Sequence, residues 1–284
     1  MTARPVSQSI DDASASGRRT LRIALIGWGA IARRFAELIK ARNGDRIAIV
    51  ALCMRRLATP DDAPASARIV TAPEALAALG ADLVIEAAGR DAVAQWGEAA
   101  LTGARAFAVA STSAFCDDAL LDRLLAIAET NGSQIVIPAG ALAGVDGLAA
   151  ASVLGLDAVT HSIVKPPAAW RGTEAEKLCD LERLADATVF FEGAAREAAR
   201  RFPQNANVAV ISALAGPGLD RTQVRLVADP RATRNGHSLH ARGDFGVMDM
   251  TIENRPLATN PKSSEMTALN LVRMVENRFR PLAC

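Results

Sequence analysis

Three histidines, His161, His237 and His240, are the only side chains of this 284-residue chain whose ordinary pKa lies close to neutrality. A general acid or base working at neutral pH therefore has few places to sit. His161 lies in an alternating apolar segment, and His240 stands in a strand-like stretch three residues after His237. His237 follows the turn-rich loop Asp229-Pro230-Arg231-Ala232-Thr233-Arg234-Asn235-Gly236 and stands where that loop enters a strand. At such a junction a rigid backbone can present a side chain to a cleft. Residue type alone leaves His237 open between proton transfer and a structural role.

A second chemistry is written in the backbone. The apolar run at residues 21–26 leads into Gly27-Trp28-Gly29-Ala30-Ile31-Ala32, and an amphipathic segment rich in Ala and Arg follows over residues 33–40. A strand, a tight glycine turn and a helix together bind a dinucleotide pyrophosphate. Gly27 permits the turn, and Gly29 lets the backbone N–H groups of Ala30 and Ile31 approach the phosphates. Ala32, in place of the usual third glycine, lets helix and strand pack closely. Glycine turns also occur in ordinary loops, so context decides. A second apolar strand at residues 47–52 arrives roughly 20 residues later, as a βαβ unit requires. It ends in Cys53-Met54-Arg55-Arg56, without the acid that would bind a ribose hydroxyl. Two guanidiniums there suit a bidentate grip on a phosphate, although charged loop residues are also commonly just solvated. The reading favours NADP and leaves NAD open.

The elements that must position these residues follow from periodicity. A short buried strand over 82–89 precedes a helix over 91–101. A strand over 106–110, a helix over 116–130 and a strand over 134–138 complete the alternation. This predicts an α/β fold with a Rossmann-type doubly wound parallel sheet over residues 21–142, its ligand crevice at the carboxyl ends of the strands. The rhythm then changes. A helix over 145–154 leads to strand-like segments at 158–164, 187–191, 223–228 and 237–252, with helices at 193–202 and 205–215. That predicts a second, α+β domain over 143–258 for substrate and dimerisation. Residues 259–284 carry an amphipathic helix over 264–279, expected to pack back on the first domain.

Composition narrows the partners. The net charge is +1 and half the residues are hydrophobic, with Lys and Arg scattered among Asp and Glu. No basic stripe offers itself to nucleic acid, and no apolar run approaches the roughly 18 residues of a membrane span. The first 20 residues lack an apolar signal core and read as a flexible tail, so a soluble cytoplasmic protein is expected. Cys53, Cys116, Cys179 and Cys284 form no C-x-x-C pair, so neither a zinc site nor any other metal centre nor a disulfide framework is indicated.

Longer segments narrow the function. Phe202-Pro203-Gln204-Asn205-Ala206-Asn207-Val208-Ala209, Leu214-Ala215-Gly216, Val227-Ala228-Asp229-Pro230, Asn235-Gly236-His237 and Asn260-Pro261-Lys262-Ser263-Ser264 occur in that order. With Gly27 to Ala32, Glu86-Ala87-Ala88-Gly89, Gly140-Ala141-Leu142-Ala143-Gly144 and Lys165-Pro166-Pro167, the chain resembles the L-aspartate dehydrogenase family over nearly everything after the tail. Ala32 and Arg90 depart from the family pattern. The resemblance implies NAD- or NADP-dependent oxidation of L-aspartate to iminoaspartate for pyridine nucleotide formation, and a homodimer. It makes His237 the catalytic histidine and adds Ala141 and Asn207 to the cofactor contacts.

The residues suit that chemistry. Hydride can leave Cα only when the amine is neutral, and an imidazole can take its proton. His237 is expected to act so, or to activate water for imine hydrolysis. The two carboxylates of aspartate need donors, for which Lys262, Ser263 and Ser264 are expected, with Lys165 and Arg171 behind them. Ser263 and Ser264 could equally cap the last helix. Asn207 could donate to the nicotinamide carboxamide, or simply cap its own helix. The same scaffold would serve a homoserine or dihydrodipicolinate type of reductase, or a dinucleotide-sensing module without catalysis.

Overall fold

A computed structural model describes residues 20–203 and 206–283, so the expected tail lies outside the described residues except for Thr20, as do Gln204 and Asn205. The first sheet contains β1 (Leu21–Ile26), β2 (Ile47–Cys53), β3 (Arg68–Val70), β4 (Leu83–Glu86), β5 (Ala106–Val109) and β6 (Gln134–Val136). All neighbours run parallel in the order β3-β2-β1-β4-β5-β6. The apolar runs of the sequence are explained by burial on both faces. Ala24 and Ile26 of β1 face one hydrophobic cluster with Val93, Trp96 and Leu124, while Ile23 and Leu25 face another with Phe35 and Ile39. Those partners come from α1 (Ala30–Asn43), α2 (Arg90–Gly103) and α3 (Asp118–Asn131). Strand order reverses between β1 and β4, which opens the crevice there.

One local reading shifts, and one strand is added to those expected. The helix expected from Cys116 begins at Asp118, because residues 112–116 form a 3-10 turn and the Asp117 side chain accepts the Leu120 N–H at 3.2 Å. β3 is an edge strand of three residues, too short to carry a periodic signal.

The second sheet is mixed, in the order β11-β10-β7-β9-β8. After α4 (Val145–Ala151) the chain forms β7 (Leu156–Lys165), α5 (Ala175–Leu178), β8 (Thr188–Ala194), α6 (Ala195–Arg201) and α7 (Asn207–Ala215). β9 (Thr222–Ala228), β10 (Asn235–Gly243) and β11 (Gly246–Asn254) follow. β7 and β9 run parallel, and β10 lies antiparallel to both β7 and β11. The segment read as one strand over 237–252 is thus a hairpin turning at Asp244-Phe245. Alternation continues through a tight turn, so period alone could not reveal the break.

A short hairpin, β12 (Pro256–Leu257) and β13 (Asn260–Ser264), leads to α8 (Glu265–Glu276). α8 lies on the first domain: Leu271, Val272 and Val275 join Phe35 and Ile39 of α1 in one cluster. Arg34 meets Glu265 at 2.6 Å, and Arg42 meets the buried Glu276 at 2.9 Å. The other large cluster is continuous across the two domains, joining Phe107 and Phe115 to Trp170, Phe202 and Val210. The domains therefore share a core. Among the described residues no helix is long and apolar enough to cross a membrane.

Candidate active site

The turn after β1 is shaped by its surroundings. Gly27 has φ +88°, and a Cβ on it would lie 2.6 Å from the Ala88 Cβ, so only glycine fits. Gly29 differs. Its φ is −87°, and a Cβ there would find no protein atom closer than 3.9 Å. The first turn of α1 has neither a side-chain cap nor an acidic residue. That leaves its N–H groups and an open space above Gly29 for an anion, and a dinucleotide pyrophosphate fits this cradle.

The cleft beside the turn measures about 1080 Å³ and is lined by Gly27, Gly29, Met54, Arg55, Arg56, Ala88, Gly89, Arg90, Gln95, Trp96 and Pro203. Arg55 and Arg56 are exposed at the end of β2. Arg90, the first residue of α2 and a departure from the family pattern, adds a third guanidinium to the cleft. Ala30 sits at the helix start but lines neither this cleft nor the smaller cavity that holds His237.

Glu86 holds the loop that brings Ala88 and Gly89 to the cleft. Its fully buried carboxylate accepts the N–H groups of Ala88 and Gly89 at 2.7 Å, and the Ser111 hydroxyl and N–H at 2.8 and 2.9 Å. Burial pushes its pKa up, and the four donors oppose that push. The clamp ties the loop after β4, which carries Ala88 against Gly27, to the loop after β5.

The smaller cavity, about 110 Å³, brings together Ile31, Ala110, Gly140, Ala141, Lys165, Asn207, Val208, Ile211, His237, Lys262, Ser263, Ser264 and Thr267. His237 enters at the start of β10 and is 3% exposed. Its Nδ1 lies 3.3 Å from Nε2 of the fully buried His161, whose Nδ1 lies 2.9 Å from the Ser212 hydroxyl. Burial pushes His161 down to about 4. It pushes His237 well below 6.5, with His161 and Lys165 adding to the effect. Lys165, at the end of β7, is pushed down by burial to about 8. Its ammonium also lies 5.5 Å from the centre of the Trp170 ring.

The other walls are fixed by hydrogen bonds. Asn207 opens α7, and its Oδ1 accepts the Ser113 N–H at 3.0 Å, which leaves its NH2 as the donating end. Ala141 O accepts from Asn254 at 2.8 Å, and the carbonyls of Gly140 and Leu142 accept from Asn270 at 2.8 and 3.1 Å. Lys262, Ser263 and Ser264 lie on β13, so the last helix begins one residue after the expected Ser264. Ser264 occupies the N-cap position of α8 but makes no side-chain cap bond, and Ser263 Oγ accepts from Asn260 at 3.2 Å. Arg171 does not line this cavity; it pairs with Glu182 at 3.3 Å on the surface. His240 sits on the exposed side of β10 and pairs with Asp249 at 2.7 Å. Among the described residues no group of three or more His, Cys, Asp or Glu side chains could hold a metal ion.

His161 is the residue the sequence reading passed over, as a member of an apolar segment. A usable signal existed: His161, Ile163 and Lys165 alternate on β7 and share one face of the sheet.

A dinucleotide cleft and a small cavity lined by His237 and two lysines, built on a Rossmann sheet and a mixed second sheet, define an NAD(P)-dependent oxidoreductase. Residues 27–138 match the family described as homoserine dehydrogenase, NAD binding domain, and residues 146–278 match aspartate dehydrogenase, C-terminal. The chain is 56% identical to an L-aspartate dehydrogenase of Brucella anthropi over 90% of its own length and 96% of that protein. It is 43% identical to an L-aspartate dehydrogenase of Serratia proteamaculans, covering 91% of this chain and 98% of the relative. The chain belongs to the L-aspartate dehydrogenase family. Its fold is shared with the crystal structure of aspartate dehydrogenase from Thermotoga maritima, with a TM-score of 0.73 at 23% identity over 94% of this chain and 100% of the other.

Proposed function

We propose that this protein oxidises L-aspartate to iminoaspartate with NADP or NAD, the imine then hydrolysing to oxaloacetate and ammonia. The observation that carries the reading is the small cavity that His237, Lys165 and Lys262 line together with Ile31 of the first turn of α1, the helix that follows the glycine turn of the dinucleotide cleft. When bound, the nicotinamide ring accepts the hydride from Cα.

The protein's own part is to bind, orient and deprotonate. Lys165 and Lys262 supply one cation for each substrate carboxylate, with the Ser263 and Ser264 hydroxyls as further donors. The low pKa of His237 keeps its ring neutral near pH 7, so it can take the ammonium proton and leave the lone pair that forms the C=N bond. The same ring can then activate the water that attacks the imine. Asn207 offers its NH2 to the carboxamide of the cofactor, and Ala141 presents backbone beside it. Arg55 and Arg56, with Arg90, favour the additional phosphate of NADP. The working assembly is read as a homodimer, to be checked by light scattering.

Reduced-cofactor absorbance on adding L-aspartate to purified protein, with each nucleotide in turn, is the direct test. No rise with either would sink the reading. A substrate panel containing homoserine and other amino acids separates it from the related reductases, and tight nucleotide binding without turnover would indicate a sensor.

A further inference from the structure

His237 does not stand alone. It heads a buried chain of hydrogen bonds running from His237 Nδ1 to His161 Nε2 at 3.3 Å, and from His161 Nδ1 to Ser212 Oγ at 2.9 Å. The chain ends at the Ala209 carbonyl, which accepts from Ser212 Oγ at 3.0 Å. Burial favours the neutral form of both rings in the free protein, so each bears one proton there.

The direction of this chain is set at its far end. A carbonyl oxygen can only accept, so the single hydroxyl proton of Ser212 goes to Ala209. Ser212 Oγ then accepts from His161, which places the His161 proton on Nδ1. His161 Nε2 is left with a lone pair and accepts from His237, which places the His237 proton on Nδ1. The remaining nitrogen, His237 Nε2, is unprotonated. We propose that His161 and Ser212 are positioning residues that hold His237 in the Nδ1–H tautomer and so present a basic Nε2 to the substrate amine.

The inference rests on the reading of His237 as the base. It adds a reason why that base works, since the opposite tautomer would aim an N–H at the ammonium and could take no proton. Once His237 has accepted a proton at Nε2, the resulting imidazolium still donates through Nδ1 to His161, a neutral acceptor already in place. The relay carries no proton away, because it ends on a backbone carbonyl. The proton taken at Nε2 therefore leaves again through Nε2, to solvent on the cavity side, before the same ring activates the water that attacks the imine.

Nitrogen-15 spectra of the full-length, tag-free protein resolve the tautomers directly, since it has only three histidines and the exposed His240 serves as a reference. At neutral pH the expected state is Nδ1–H for both His161 and His237. His161→Leu removes the acceptor. It should move His237 towards Nε2–H and lower kcat on the order of 100-fold, with the nucleotide KM unchanged. His161→Gln, whose amide oxygen can accept the same proton, should recover kcat to within about tenfold of wild type. If His161→Leu does not fold, Ser212→Ala takes its place in both measurements. A wild-type His237 protonated at Nε2, an unchanged tautomer in the variant, or a shifted tautomer with full kcat would each overturn the proposal. His237→Ala separates the two claims: full turnover in that variant refutes the base, while the measured tautomers stand.

Discussion

At the scale of single residues, the cavity's character comes from burial acting on a few basic groups. Lys165 has its pKa pushed down to about 8 because its ammonium is withdrawn from water. Between about pH 8 and its ordinary value it is neutral in the free enzyme, so its attraction for a carboxylate fades as pH rises through about 8. The KM for aspartate should climb on that limb while the nucleotide KM stays level. Lys165→Met should raise the aspartate KM by about 10- to 100-fold, the range of a lost charged hydrogen bond, and flatten that limb. An unaltered KM would remove Lys165 from the substrate site. From sequence, Lys165 stood only as a secondary candidate, because nothing in Lys165-Pro166-Pro167 tells how deeply the side chain is buried. Arg171, six residues on, looked equivalent and lies on the surface.

At the scale of elements, the cofactor cleft depends on loops that are held from behind. Glu86 closes β4 and satisfies four donors in two loops with one carboxylate. Glu86→Gln would turn one acceptor oxygen into an NH2 facing N–H groups. The expected cost is on the order of 2 to 4 kcal/mol in chemical denaturation, together with weaker nucleotide binding. A variant as stable as wild type would show that the loops hold themselves. The sequence displayed Glu86 as one letter of a family-like string, with no sign that its charge is internal. Periodicity served well where elements are long and apolar, as in β1, β2 and α2. It failed for β3, for the β10–β11 hairpin and for β13, where three to five residues or a tight turn carry too little pattern.

At the scale of the whole molecule, two clusters bind the parts into a unit: one runs across both domains, and the other joins α8 to α1. The buried histidine pair ties that unit's stability to pH. A base whose folded pKa is depressed takes up its proton more readily in the unfolded chain, so acidification favours unfolding. For His161, at about 4 against an ordinary 6.5, roughly 3 kcal/mol should be lost as pH falls from 6.5 to 4. Denaturation at both ends of that window should show a smaller loss in His161→Gln, and equal losses would contradict the assignment. The sequence by itself determined the parallel sheet, the glycine turn, the dinucleotide class and the resemblance that singled out His237. Those rest on local period, on backbone conformations only glycine allows, and on the order of segments. The tertiary structure alone decided that His161 and Ser212 stand behind His237, that Lys165 rather than Arg171 shares its cavity, and that Arg90 joins Arg55 and Arg56. Burial and contact between residues far apart in the chain create those relations, and such distances are not encoded in spacing along it.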